Sequence, residues 1–320
     1  MSGSGWLLLQ ALLCAAAIAR AGYLLAHSAD ALADLHGWGR GWVGLALLAT
    51  VTSLPELASG ISAVTLVDAP NLAVGNALGA CVFNLFLLVV VDALQPRQPI
   101  YLHASPSHLL SAAFGVVLLG LAALELLAGS RMPVLLNLGL ASPALLALYL
   151  LALRSVYRHD RVLRAAVAAE AVAELRAPSR LTSRQAWWRF GASALVVLVA
   201  GSWLPHVADQ LAQATGLSRS FMGTVFMAIV TTLPEMAVTF AALRLGALDM
   251  AIGNLLGSNL FNVTILAVDD LFYRRGSLLA DAAPVHASTA VTAVVMSGLV
   301  MIGLATAYLL NAVLVALAEA

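Results

Sequence analysis

Apolar residues run almost without interruption along this chain, in blocks too long for the core of a soluble domain. Blocks of spanning length fall at about 5–25, 41–66, 71–94, 106–128 and 133–153, then at 188–213, 219–243, 247–271 and 286–310. Each approaches or exceeds the roughly 20 residues that a helix needs to cross a bilayer. The pattern predicts an all-α, multi-pass integral membrane protein. One long stretch breaks it: Arg154 to Arg189 is polar. Within that stretch Asp160–Leu175, with Val162, Leu163, Val167 and Leu175 apolar, predicts a surface helix ended by Pro178. The expected organisation is a first membrane half at 1–153, a linker at 154–187 and a second membrane half at 188–320.

Composition agrees: 62% of the 320 residues are hydrophobic and 10% are charged. Net charge is zero, so nothing calls for a nucleic-acid partner; the expected partners are the lipid bilayer and inorganic cations. The two cysteines, Cys14 and Cys81, lie in different apolar blocks and give no disulfide framework. The first block lacks a basic leader and a cleavage motif, so it is expected to stay as a helix. All 16 basic residues are arginine, and eight lie in the polar stretch: Arg154, Arg158, Arg161, Arg164, Arg176, Arg180, Arg184 and Arg189. The positive-inside rule puts that linker in the cytoplasm and, five helices earlier, the N-terminus outside. Arg40, Arg97 and Arg244 then fall inside, while Arg131, Arg219, Arg274 and Arg275 fall outside.

The two halves repeat each other. Ala21-Gly22-x-x-Leu25-x-His27-x-Ala29-Asp30 returns as Ala200-Gly201-x-x-Leu204-x-His206-x-Ala208-Asp209. Val51-Thr52-x-Leu54-Pro55-Glu56 returns as Val230-Thr231-x-Leu233-Pro234-Glu235, an offset of 179. Gly75-Asn76-x-Leu78-Gly79-x-x-x-Phe83-Asn84 returns as Gly253-Asn254-x-Leu256-Gly257-x-x-x-Phe261-Asn262, an offset of 178. Asp92 matches Asp270, and Pro106-x-His108 matches Pro284-x-His286. The unit holds five helices, an odd number, so the second copy enters the membrane from the opposite side. Inverted repeats of this kind hold their site near the midplane, on interrupted helices. The fifth helix has no full counterpart before Ala320, so nine to ten helices are expected, the last truncated or missing.

The chemistry concentrates where the repeats carry a carboxylate beside a proline. An ionisable side chain in the middle of a membrane helix costs about 3 kcal/mol or more, and by default marks a functional site. Glu56 and Glu235 together neutralise one divalent cation. Thr52, Ser53, Thr231 and Thr232 add hydroxyls one turn away. Pro55 and Pro234 remove backbone donors and free carbonyl oxygens. Asn84, Asn262 and Ser258 offer further oxygens from the following helices; Ala80 stands where Ser258 has its counterpart. Gly75, Gly79, Gly253 and Gly257 have the small-xxx-small spacing that lets helices approach closely. The His27/Asp30 and His206/Asp209 pairs read as caps near helix ends. Asp92, Asp269 and Asp270 read as charges at the end of a span. Glu125 is flanked by apolar residues, and the pattern assigns it no role.

At these residues the chain resembles the cation/calcium exchanger superfamily, of the sodium/calcium exchanger type, whose two inverted alpha-repeats carry G-T-S-L-P-E and G-N-x-x-G-S-N-x-F-N. The matching regions are about 41–94 and 219–271. The resemblance implies two inverted five-helix halves and alternating access around a central site. It also implies calcium as cargo with sodium as counter-ion, no cofactor and no enzymatic activity, in a bacterial inner membrane. Glu56, Glu235, Thr52 and Thr231 would be the calcium ligands, and Ser53, Thr232, Asn84, Asn262 and Ser258 would line the ion sites. The chain departs from the pattern at Val51 and Val230, which replace glycine, at Ala80, which replaces serine, and at Asn262, where some sodium-coupled members carry aspartate. These departures leave proton/calcium exchange open as an alternative. A cation channel, which also uses carboxylates, fits the repeat less well.

Overall fold

The computed structural model describes residues 3–66, 68–94, 100–102, 104–131, 134–135, 138–170, 181–215 and 227–319. The first half consists of α1 (Gly3–His36), α2 (Arg40–Thr52), α3 (Leu54–Thr65), α4 (Pro70–Ala93), α5 (Ser107–Ala128) and α6 (Ala141–Glu170). The second consists of α7 (Ser183–Thr215), α8 (Met227–Thr231), α9 (Leu233–Arg244), α10 (Leu248–Phe272), the single turn α11 (Leu278–Asp281) and α12 (Val285–Glu319). A two-rung antiparallel ladder, Val134–Leu135 with Leu138–Gly139, joins α5 to α6.

Among the described residues α1, α4, α5, α10 and α12 are long and apolar enough to cross a membrane, and α2 with α3 forms one span bent by 41°. α6 and α7, of 30 and 33 residues, have the length but carry arginines near the linker. Residues 160–170 are not a separate surface helix: α6 runs on unbroken to Glu170, and Asp160 lies against Gly39 at the start of α2. Residues 171–180, with Pro178, lie outside the described residues, and so do 219–226. α12 continues unbroken to Glu319, and among the described residues no separate counterpart of α6 follows it.

Burial identifies the centre. In the most apolar window of α10, 89% of residues are buried, and in that of α4 67%, against 17% in α1 and 28% in α12. Leu12, Leu13, Leu124, Leu127, Leu150, Val295, Leu299 and Ile302 instead expose their side chains, as a lipid-facing surface requires. α10 reaches the centre by backbone contact with α2. A Cβ on Gly253 would lie 2.3 Å from the Gly41 carbonyl oxygen, and one on Gly257 would lie 2.6 Å from Leu45 Cα. Gly75 and Gly79 lie buried and half-buried on α4.

The internal twofold is visible in individual hydrogen bonds. Asp92 accepts from the Ile100 amide at 2.8 Å, and Asp270 accepts from the Leu278 amide at 2.6 Å. Asn71 of the first half accepts from Ala283 of the second at 2.6 Å; Asp249 of the second accepts from Ser105 of the first at 2.7 Å. All these residues pair at the offset of 178. Cys81 donates to the carbonyl of its own counterpart, Asn259, at 3.7 Å, so α4 and α10 cross on the axis.

α1 and α7 pack on each other, and each packs on the interrupted helix of the other half. The repeated glycines make this contact: a Cβ on Gly22 would lie 2.9 Å from Ala237 Cβ, and one on Gly201 would lie 2.6 Å from Pro55 Cγ. His27 and Asp30 are not caps, since α1 continues to His36; Asp30 instead accepts from Arg40 Nε at 2.5 Å, tying α1 to α2.

Candidate cation-binding site

Each carboxylate sits directly after a break in its helix. Ser53 (φ −90°, ψ 7°) separates α2 from α3, and Thr232 (φ −84°, ψ 4°) separates α8 from α9. Pro55 and Pro234 follow at the first positions of the new helix, where a missing N–H is tolerated. α2 is also underwound before the break: Gly44–Leu48 forms a π-turn, a device common at functional positions. Glu56 and Glu235 thus fall in the first turns of α3 and α9, where the helix dipole favours negative charge. Both are completely buried, as are Thr52, Ser53, Thr231 and Thr232.

The two breaks meet. Ser53 donates to Glu235 Oε1 at 2.8 Å across the repeat interface, and Ser258 reaches the same oxygen at 3.5 Å. Thr52 lies 3.5 Å from Asn254 Oδ1 and from Ser258 Oγ. Glu56 stands within the electrostatic reach of Glu235, beside Thr231. α4 and α10 supply the walls. Residues four apart on a helix share a face, so α4 presents Asn76, Ala80 and Asn84 in a row and α10 presents Asn254, Ser258 and Asn262. Every predicted site residue is therefore buried, and Glu56, Glu235, Thr52, Ser53, Thr231 and Ser258 converge.

Several oxygens in this group have nothing to bond. Among the described residues no hydrogen bond reaches Glu56 Oε1 or Oε2, Glu235 Oε2, Asn84 Oδ1 or Asn262 Oδ1. A buried polar atom without a partner costs about 1–3 kcal/mol, and a carboxylate costs more. Five unpaired oxygens, three of them from carboxylates, make a donor set suited to a hard cation that takes about six to eight oxygen ligands. The carbonyl of Val51, which Pro55 deprives of its usual donor, is picked up by an amide at the end of α2, and it keeps a second lone pair.

The sequence reading missed the braces. Asn254 donates to the Glu235 carbonyl at 3.3 Å and to Thr239 Oγ1 at 3.1 Å. Its counterpart Asn76 accepts from Thr231 at 3.3 Å and donates to Ser59 at 3.1 Å. The available signal was their place in the repeat, one turn before Ala80 and Ser258. Glu125 now has a role: it accepts from the Ala141 amide and from Ser277, both at 2.8 Å, while Asp270 takes the Gly139 amide at 2.8 Å. Together they fasten the α5–α6 connection. Asp269 is not a cheap charge at a helix end; it is fully buried, and among the described residues neither of its oxygens has a hydrogen-bond partner.

A helical membrane protein built from inverted repeats, with paired carboxylates on interrupted helices at their interface, is a secondary transporter by architecture. Comparison with known proteins narrows the class: residues 6–157 and 185–318 match the model of the sodium/calcium exchanger protein family, and the chain belongs to that family. It is similar to the inner membrane protein YrbG of Escherichia coli (strain K12), with 30% identity over 228 residues, covering 70% of this chain and 66% of YrbG. It also resembles the sodium/calcium exchanger MaX1 of Methanosarcina acetivorans, with 33% identity over 82 residues, 25% of this chain and 23% of that one. A solved structure of the sodium-calcium exchanger NCX_Mj, soaked with 2.5 mM Na+ and 10 mM Sr2+, shares the fold: TM-score 0.72 at 20% identity, covering 94% of this chain and 91% of that one.

Proposed function

We propose that this chain is a secondary active antiporter that moves calcium across a bacterial inner membrane in exchange for sodium, by alternating access at the Glu56–Glu235 centre. The observation that carries this reading is the pair of fully buried carboxylates, one from each inverted repeat, with unbonded oxygens around them. Two carboxylates balance one dehydrated divalent ion, and the amides of Asn84 and Asn262 add neutral ligands. Thr52, Ser53, Thr231, Thr232 and Ser258 supply hydroxyls beside the breaks and on the facing helix. Sodium as counter-ion rests on membership of the family and on the name of MaX1. Gly201 of α7 crosses Pro55 and Pro234, and Gly22 of α1 crosses Ala237, close contacts suited to sliding during the access change.

Proton/calcium exchange is the second reading, and Asn262 and Ala80 favour it. An amide and a methyl stand where sodium-coupled relatives place a carboxylate and a hydroxyl, so less charge and fewer oxygens remain for monovalent ions. The test is calcium uptake into proteoliposomes, first with an outward sodium gradient and then with an outward proton gradient. Uptake driven by sodium supports the first reading, and uptake driven only by protons the second. Calcium current without saturable counterflow would identify a channel and overturn both.

A further inference from the structure

The fully buried Asp269 of α10 stands outside the group described above, and its surroundings break the internal symmetry. Its counterpart in the first half is Val91 of α4, also fully buried. The residue it packs against is altered to match. A Cβ on Gly60 of α3 would fall 2.2 Å from Asp269 Oδ2 and 2.8 Å from its Cγ, so only glycine leaves room for this carboxylate. The counterpart of Gly60 is Thr239, which is occupied by Asn254. One half has thus gained an acid and the space for it together. Gly60 lies four residues past Glu56 on the same face of α3, which sets the two positions about 6 Å apart along the axis.

No hydrogen bond reaches Asp269 among the described residues. The titratable groups on the helices around it are committed or distant. Asp270 is held by Gly139, Ser142 and Leu278, and Glu125 on α5 by Ala141 and Ser277. Cys81 of α4 donates to Asn259, Tyr149 of α6 lies edge-on to Phe261, and Asp281 of α11 accepts from Tyr273. Asp68 and Arg275 pair at the exposed surface beyond α3 and α10. His108 and Asp92 lie towards the other face, bonded to Asp249 and Ile100, and Arg40 and Arg244 belong to that face as well. That leaves Glu56, with Glu235 behind it. A fully buried carboxylate that no hydrogen bond reaches is far more stable neutral than charged.

We propose that Asp269 is a proton-binding site of the exchanger, placed one helical turn from the cation site on the side of the Asp68–Arg275 pair. It rests on the reading of the Glu56–Glu235 centre as the cation site. A cation arriving at Glu56 lowers the affinity of Asp269 for its proton by on the order of tenfold, the effect of one charge at such a distance in a protein interior. Cation entry and proton release are thereby coupled.

The test uses the full chain in detergent and in proteoliposomes, with Asp269→Asn, which keeps the shape, and Asp269→Val, which copies the first half. Infrared difference spectra across a pH titration should show a protonated-carboxyl band in the unmodified protein that is missing from both variants. In weakly buffered solution near neutral pH, calcium should release up to about half a proton more from the unmodified protein than from either variant, the most that a tenfold change in affinity yields from one site. An unchanged band and unchanged proton release in both variants would overturn the proposal. Calcium uptake by the same preparations under a sodium and then a proton gradient reports on the cation site separately: its absence from the unmodified protein under both gradients defeats that reading, while the infrared band still decides whether Asp269 holds a proton. If neither variant folds, Gly60→Ala, which pushes on the carboxyl, should shift the band; an unshifted band then counts against the proposal.

Discussion

At the scale of single residues the site depends on charge count. Glu56→Gln or Glu235→Gln leaves one carboxylate facing a dehydrated divalent ion, and the shape of the site is kept. Removing one partner of a buried charge interaction costs about 3–5 kcal/mol, which is roughly two to four orders of magnitude in affinity. Calcium uptake by either variant should fall to background, while the protein still inserts and elutes as a single species. Near-normal uptake would place the site elsewhere. Asn262→Asp works in the other direction. It restores a negative charge among the buried oxygens, so sodium dependence of calcium efflux should steepen at fixed pH. A variant with the dependence of the unmodified protein would show that the amide does not set coupling.

At the scale of elements the molecule depends on how closely α10 meets α2. Even the smallest added side chain at Gly257 intrudes on the backbone of Leu45, with the Leu45 oxygen also 2.6 Å away. Gly257→Ala should therefore destabilise the protein by about 1–3 kcal/mol, the usual range for overpacking. Thermal unfolding in detergent measures this directly. Gly298→Ala is the control, because a Cβ there meets nothing within 4 Å. If the two variants melt alike, the close approach is not what holds α10 in place. The helices themselves were readable in the sequence, because apolar length alone defines a span. Their ends were less so. α6 continues into the charged stretch to Glu170, with Asp160 docked on Gly39, a tertiary contact that no local pattern encodes.

At the scale of the whole molecule, orientation follows from the arginines. Single cysteines at Arg158 and Arg275, in a background lacking Cys14, should react with an impermeant thiol reagent from opposite sides of the membrane. Arg158 should label only in inside-out vesicles and Arg275 only in right-side-out ones. Labelling of both from one side would contradict an odd number of crossings between them. Cys81 is buried and should stay silent.

The sequence by itself determined that the chain lives in a membrane, that it is a duplication with inverted halves, and that Glu56 and Glu235 are its central pair. These properties are written in hydropathy, in period and in rare residue types, and a linear pattern can carry all three. The tertiary structure alone decided which polar atoms are satisfied. Asp269 and Asp270 are neighbours in the chain and look alike there, yet Asp270 holds a connection together and no hydrogen bond reaches the Asp269 carboxylate among the described residues. Glu125 looked like a buried charge without purpose until the Ala141 amide and Ser277 arrived from elsewhere in the fold. Asn76 and Asn254 became braces for the same reason. Hydrogen bonding depends on which distant groups meet within about 3 Å, and that information exists only once the helices have packed.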